Sequence, residues 1–199
     1  VTFLGGIWHH RKMVVGTPVR KVVTLGHPVL RAQSRLLAPE DILTPDVQRL
    51  IAEMAASMDE YEGVGIAAPQ VAEGLSLFLM GLPAGGSRHP DGIEPTVVFN
   101  PTVRFLGEEK LLDYEGCLSV PGLRGEVPRF TALELSGLDR QGRAFTKEFT
   151  GFPARVVQHE VDHLLGKVYL DRMPDLSTLA YVDQARAAAR LQKTPAPGR

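Results

Sequence analysis

A single cysteine, Cys117, among 199 residues leaves no partner for an internal disulfide, which favours a reducing compartment and keeps one thiol open to chemistry. No apolar run approaches the roughly 18 residues that span a bilayer, and the N-terminus carries no clear signal-peptide core with a cleavage site, so no membrane partner is expected. An excess of either charge is also missing. Lys and Arg number 22 against 23 Asp and Glu, and they are scattered apart from short clusters such as Arg11-Lys12. That balance excludes an extended nucleic-acid face and, with it, specific DNA binding. A last absence bears on chemistry: no glutamate follows His163.

What remains is 44% hydrophobic and 23% charged, the composition of one globular domain over residues 1–199, with 1–12 and 193–199 read as tails. Thr44-Pro45-Asp46 offers an N-cap, a first-turn proline and an acid that suits the helix dipole. Val47, Leu50, Ile51, Met54, Ala55 and Met58 then recur at helical spacing, so an amphipathic helix is expected, ending before Gly63. From there to Gly151 the pattern turns to short extended runs at 75–80, 96–105, 131–138 and 143–149, with a hairpin turn at Asp139-Arg140-Gln141-Gly142. The Gly- and Pro-rich stretch 81–95 reads as a surface loop. Pro174-Asp175 opens an expected last helix with Leu176, Leu179, Ala180, Ala187 and Leu191, whose basic end carries Arg186 and Arg190, followed by Lys193.

His159-Glu160-Val161-Asp162-His163 has the form H-E-x-x-H. On a helix, residues four apart lie one above the other, so both imidazoles reach one metal while the intervening glutamate stands beside it as a base. Pro153 fits the first turn of that helix, Val157, Val161 and Leu164 give it an apolar stripe, and Gly166 suits a left-handed C-cap.

A catalytic site of this kind needs a third protein ligand and an open position. With no glutamate downstream, the familiar two-histidine, one-glutamate set is disfavoured, and the extended motif with a third histidine ends instead on Tyr169. Cys117, in Glu115-Gly116-Cys117-Leu118-Ser119, is the best remaining donor, being soft and well suited to iron, zinc or nickel. Asp162, Asp171 and the other histidines stay open as alternatives.

Three blocks in order resemble the peptide deformylases: Gly63-Val64-Gly65-Ile66-Ala67-Ala68-Pro69-Gln70, Glu115-Gly116-Cys117-Leu118-Ser119 and Gln158-His159-Glu160-Val161-Asp162-His163. Ser119-Val120-Pro121-Gly122-Leu123-Arg124 and Gly151-Phe152-Pro153-Ala154-Arg155 are similar to a subgroup that includes mitochondrial and plant enzymes with some bacterial ones. The resemblance implies an α+β fold in which antiparallel sheets surround the central H-E-x-x-H helix, with an N-terminal amphipathic helix and a C-terminal helix.

It further implies a hydrolase that removes the formyl group from the N-terminal formylmethionine of nascent polypeptides. Cys117, His159 and His163 would hold one divalent metal, Fe(II) by resemblance, with zinc, nickel and cobalt also suited to such ligands. Glu160 would be general base and acid. The Gln70 side chain and the Leu118 N–H would stabilise the oxyanion, and Val64, Gly65 and Gly116 would bind the peptide backbone. The implied partners are formylated nascent peptides. The basic end of the last helix is also suited to a transient ribosome contact, against which stands the favoured reading of a solvated helix end. The compartment would be bacterial cytoplasm, or a mitochondrial or plastid matrix. The rival readings are an H-E-x-x-H zinc endopeptidase and an idle homologue that only binds peptides or ribosomes.

Overall fold

The computed structural model describes residues 16–86 and 89–184. A short helical turn α1 (Pro39–Ile42) leads into α2 (Pro45–Glu60). Pro45 occupies the first turn as its fixed φ favours, but Thr44 does not cap the helix. Its hydroxyl turns back to donate to the Asp41 carbonyl at 2.7 Å, because α1 ends immediately upstream and offers that acceptor. Leu50, Ile51, Met54, Ala55 and Met58 form the buried stripe of α2.

Among the described residues eight strands follow: β1 (Gly65–Ala67), β2 (Leu77–Leu82), β3 (Ile93–Phe105), β4 (Lys110–Cys117), β5 (Val120–Phe130), β6 (Ala132–Leu138), β7 (Ala144–Thr150) and β8 (Ala180–Tyr181). They build a five-stranded sheet of order β1-β2-β3-β6-β7 and a three-stranded sheet of order β4-β5-β8. Among the described residues every pairing between these strands is antiparallel, and an isolated parallel bridge joins Arg35 to Leu75. Helix α3 (Gly151–Leu164) carries the H-E-x-x-H residues.

Strand β2 explains the layering. Successive side chains point to opposite faces of a sheet. Leu77 and Leu79 pack with Ile51, Met54 and Met58 of α2, whereas Phe78 and Met80 pack with Ala154, Val157 and Leu164 of α3. A strand covered by a helix on each face is apolar at every position, so Leu77–Met80 has no alternation.

Helix α3 also reaches the smaller sheet. The Gln158 side chain accepts from the Phe130 N–H at 3.1 Å and donates to the Phe130 carbonyl at 2.9 Å. With Ala154 through Gln158, Glu160 and Asp162 through Leu164 all buried, the helix has apolar or paired surroundings on most of its circumference. Gly166 takes a left-handed conformation just beyond it, and a Cβ there would stand 2.8 Å from the Arg31 backbone. Only glycine fits that approach.

Three expectations need correction. The segment 81–95 is not all loop, since Leu82 pairs with Ile93 and extends the β2–β3 hairpin. β4 and β5 were absent from the extended runs read in the sequence. No helix starts at Pro174: Asp175 caps a 3₁₀ turn over Leu176–Thr178 through the Ser177 N–H, and Ala180–Tyr181 then join β5 as β8. Residues 182–184 are helical, and the remainder of the expected helix, with Arg186, Arg190 and Lys193, lies outside the described residues, as do the tails. Among the described residues no helix is long and apolar enough to cross a membrane.

Candidate active site

Cys117 closes β4, and Leu118-Ser119 form the tight turn into β5. The register slips between Gly116 and Cys117, so the ladder is interrupted where the sulfur must leave the plane of the sheet. Helix α3 supplies His159 and His163 one turn apart, their rings edge to face with centroids 5.1 Å apart. The donor atoms of Cys117, His159 and His163 all lie within 4.8 Å of one another, with Cys117 Sγ 3.3 Å from His163 Nε2. His163 is fully buried. Two imidazoles and a thiol converging at this range form a donor set that fits a divalent transition metal.

Glu115, two residues before Cys117, received no role from the sequence. Its Oε2 accepts from His159 Nδ1 at 2.9 Å and from Arg129 at 3.0 Å, while Oε1 accepts from Arg129 and Arg155, both at 2.9 Å. Burial pushes this carboxyl up, but the hydrogen bonds to His159 and Arg129 outweigh it and hold it well below the usual carboxylate range. In the neutral imidazole of His159 the hydrogen therefore sits at Nδ1, and Nε2 is the nitrogen left for a metal. Burial lowers the His159 pKa, yet the hydrogen bonds to Cys117 and Glu115 raise it above its ordinary value; His163 is depressed by burial and by neighbouring His159.

The alternatives for the third ligand separate cleanly. Asp162 Oδ2 accepts from Arg129 at 2.6 Å, and both its oxygens accept from the Arg172 guanidinium. Asp171 pairs with Arg31 and caps the Val168 N–H at 2.8 Å. His27 caps the 3₁₀ turn Pro28–Arg31, and His89 stacks on Phe152. His9 and His10 lie outside the described residues.

Glu160 lies beside the donor set, 3% exposed, and its Oε2 has no hydrogen-bond partner among the described residues. Burial pushes it up to about 7; His159 opposes that rise and Glu115 adds to it. Gly65 packs directly against this carboxylate, because a Cβ at that position would stand 2.3 Å from Glu160 Oε1.

Gln70 belongs to the 3₁₀ turn Ala68–Val71 after β1. Its Oε1 accepts from the Ala67 N–H at 2.8 Å, and Nε2 points to Cys117 Sγ at 3.5 Å and Ser119 Oγ at 3.3 Å. The amide nitrogen thus faces the sulfur and can donate to an oxygen brought beside it.

A cleft of about 360 Å³ opens over these groups. Gly63, Val64 and Gly65 form one wall and Tyr114, Glu115 and Gly116 another, with Phe152 and Val156 from α3 and with Leu118 and Gln70 beside the donor set. β1 and β4 are each the terminal strand of their sheet. The cleft is therefore bounded by two strand edges.

The sequence profile of the polypeptide deformylase family matches residues 19–178. Peptide deformylase 1 of Bordetella pertussis is 40% identical over 168 residues, 83% of this chain and 93% of the relative. Peptide deformylase 2 of Pseudomonas putida is 42% identical over 148 residues, 73% of this chain and 83% of that one. Among solved structures, the Met-Ala-Ser-bound class I type b peptide deformylase of Acinetobacter baumannii superposes with a TM-score of 0.74 at 35% identity, covering 79% of this chain and 99% of that chain. The peptide deformylase of Ehrlichia chaffeensis gives 0.71 at 26% identity, covering 90% and 99%.

Proposed function

The chain belongs to the peptide deformylase family, and from that premise we propose that it hydrolyses the formamide of N-terminal formylmethionine on nascent polypeptides, releasing formate and a free amine. The observation that carries this reading is the convergence of Cys117, His159 and His163 beside the buried carboxylate of Glu160. The relatives and structures named above all carry the deformylase name, which leaves the endopeptidase and idle-homologue readings without support.

Cys117, His159 and His163 would hold one divalent cation, Fe(II) on the family reading, which supplies Lewis acidity to the site. Glu160 takes a proton from the attacking water as its oxygen bonds to the formyl carbon. It then delivers that proton to the amine nitrogen as the C–N bond breaks. The Gln70 amide and the Leu118 N–H donate to the formyl oxygen as it gains negative charge, and such a donor is typically worth a hundredfold or more in rate (about 10²).

The peptide extends along the cleft as an added strand, paired with the backbone of Val64, Gly65 and Gly116. Main-chain pairing of that kind reads no sequence, as a processing enzyme for many proteins requires. The methionine side chain enters the apolar part of the cleft at Phe152 and Val156. In a bacterium the enzyme works in the cytoplasm.

The test is turnover of formyl-Met-Ala-Ser by the wild type and by Glu160→Ala. Release of formate by the former and its loss in the latter, with metal content maintained, is expected. Equal turnover by the two proteins would remove Glu160 from the reaction.

A further inference from the structure

Ser119 is fully buried at the β4–β5 turn and touches the reaction groups in two different ways. Its hydroxyl oxygen accepts from Gln70 Nε2 at 3.3 Å, and its backbone N–H points to Cys117 Sγ at 3.4 Å. The turn itself is tied down from behind by a segment that no reaction step uses. The Leu25 N–H donates to the Ser119 carbonyl and the Val23 N–H to the Gln70 carbonyl, both at 2.8 Å.

A glutamine amide has one acceptor oxygen and two N–H bonds to place. The Ala67 N–H takes Oε1 and so fixes which end of the amide faces the sulfur. The Ser119 hydroxyl engages one Nε2 hydrogen, and the second is aimed at Cys117 Sγ, 3.5 Å from Nε2, from where it can turn to the formyl oxygen brought beside the sulfur in the mechanism above.

We propose that Ser119 is a positioning residue for the reaction: its hydroxyl holds the Gln70 amide in the one orientation that aims an N–H at the developing oxyanion. This rests on the reading of Gln70 as an oxyanion donor. The hydroxyl touches no reacting atom, and its effect passes entirely through Gln70. The backbone bond to Cys117 is independent of the side chain and survives in alanine, so the metal-holding capacity of the site does not depend on the hydroxyl.

A double-mutant cycle tests it, with Ser119→Ala, Gln70→Ala and the pair assayed as the metal-loaded enzymes on formyl-Met-Ala-Ser. Ser119→Ala should lower kcat about tenfold or more, as a loosened donor does, with KM nearly unchanged. Metal content and thermal midpoint should stay near wild type. In the Gln70→Ala background the same change should have no further effect, because its only route is gone.

If Gln70→Ala lowers kcat but the two losses multiply, Ser119 acts by another path and the proposal fails. Unchanged kcat in Ser119→Ala, or lost metal, would also overturn it. Unchanged kcat in Gln70→Ala would instead overturn the oxyanion reading, and this inference with it.

Discussion

Glu115 and His159 lie 44 residues apart, one on β4 and one on α3, and are joined by a 2.9 Å hydrogen bond from the imidazole Nδ1 to the carboxylate. The contact fixes the histidine tautomer, and Arg129 and Arg155 occupy the remaining capacity of Glu115 so that it stays ionised. Strand β4 and helix α3 are thereby locked together at the candidate metal-binding set.

Glu115→Ala should therefore damage both stability and metal retention. It leaves the buried Arg155 without its carboxylate and Arg129 with Asp162 alone, and breaking a buried pair in this way costs about 3–5 kcal/mol. Loss of the group that orients a histidine ligand lowers metal affinity about 10–100-fold. Urea unfolding and competition against a chelator measure the two effects, and wild-type values for both would refute the role.

Gly65→Ala tests the close approach to Glu160. The added methyl would stand 2.3 Å from Oε1 and must push the carboxylate away, since the neighbouring backbone is held in β1. A displacement on the order of 1 Å costs about a hundredfold in kcat. Metal content, measured by atomic absorption, should not change.

Acid sensitivity should include a contribution from Asp171. Burial raises this carboxyl, but the Val168 N–H and Arg31 together hold it below its ordinary value. A group depressed on folding stabilises fully above its unfolded pKa, and that stabilisation is lost as pH falls toward the folded pKa. Asp171→Asn should thus be less stable than wild type at neutral pH, with the gap narrowing below the ordinary carboxylate range. Thermal midpoints across an acid series check this, and a gap independent of pH would contradict it.

Metal identity has its own signature. An iron-loaded enzyme with a cysteine ligand should lose activity on aerobic handling, whereas nickel-loaded protein should keep it. Equal air stability of the two forms would argue against iron as the working metal.

The two helices that position the site were legible because each carries its apolar residues at helical spacing, from Val47 to Met58 and from Val157 to Leu164. β4 and β5 were not. β4 is an edge strand exposed along most of its length, so it has no buried face to write an alternation into the sequence. β5 contains Pro121, Gly122, Gly125 and Pro128, residues that ordinarily punctuate loops. It tolerates them because β8 pairs only with Leu123 and Arg124, leaving most of that edge with no ladder bonds to lose.

Within the site, Cys117, His159, His163 and Glu160 stood out by spacing and donor type. Glu115 and Ser119 did not, although both flank Cys117. Which of its neighbours a carboxylate or a hydroxyl will bind is decided by residues such as Arg129 and Gln70, which are brought in from other elements. The one local sign is that Glu115 stands two residues before Cys117 in the same short block.

The central claim is most directly tested by purifying the wild type and Cys117→Ala without oxygen, then measuring bound metal and formate release from formyl-Met-Ala-Ser on the same samples. The wild type should bind one metal ion per chain (about 1:1) and deformylate the peptide, and the variant should lose both. Metal content unchanged by Cys117→Ala would contradict it.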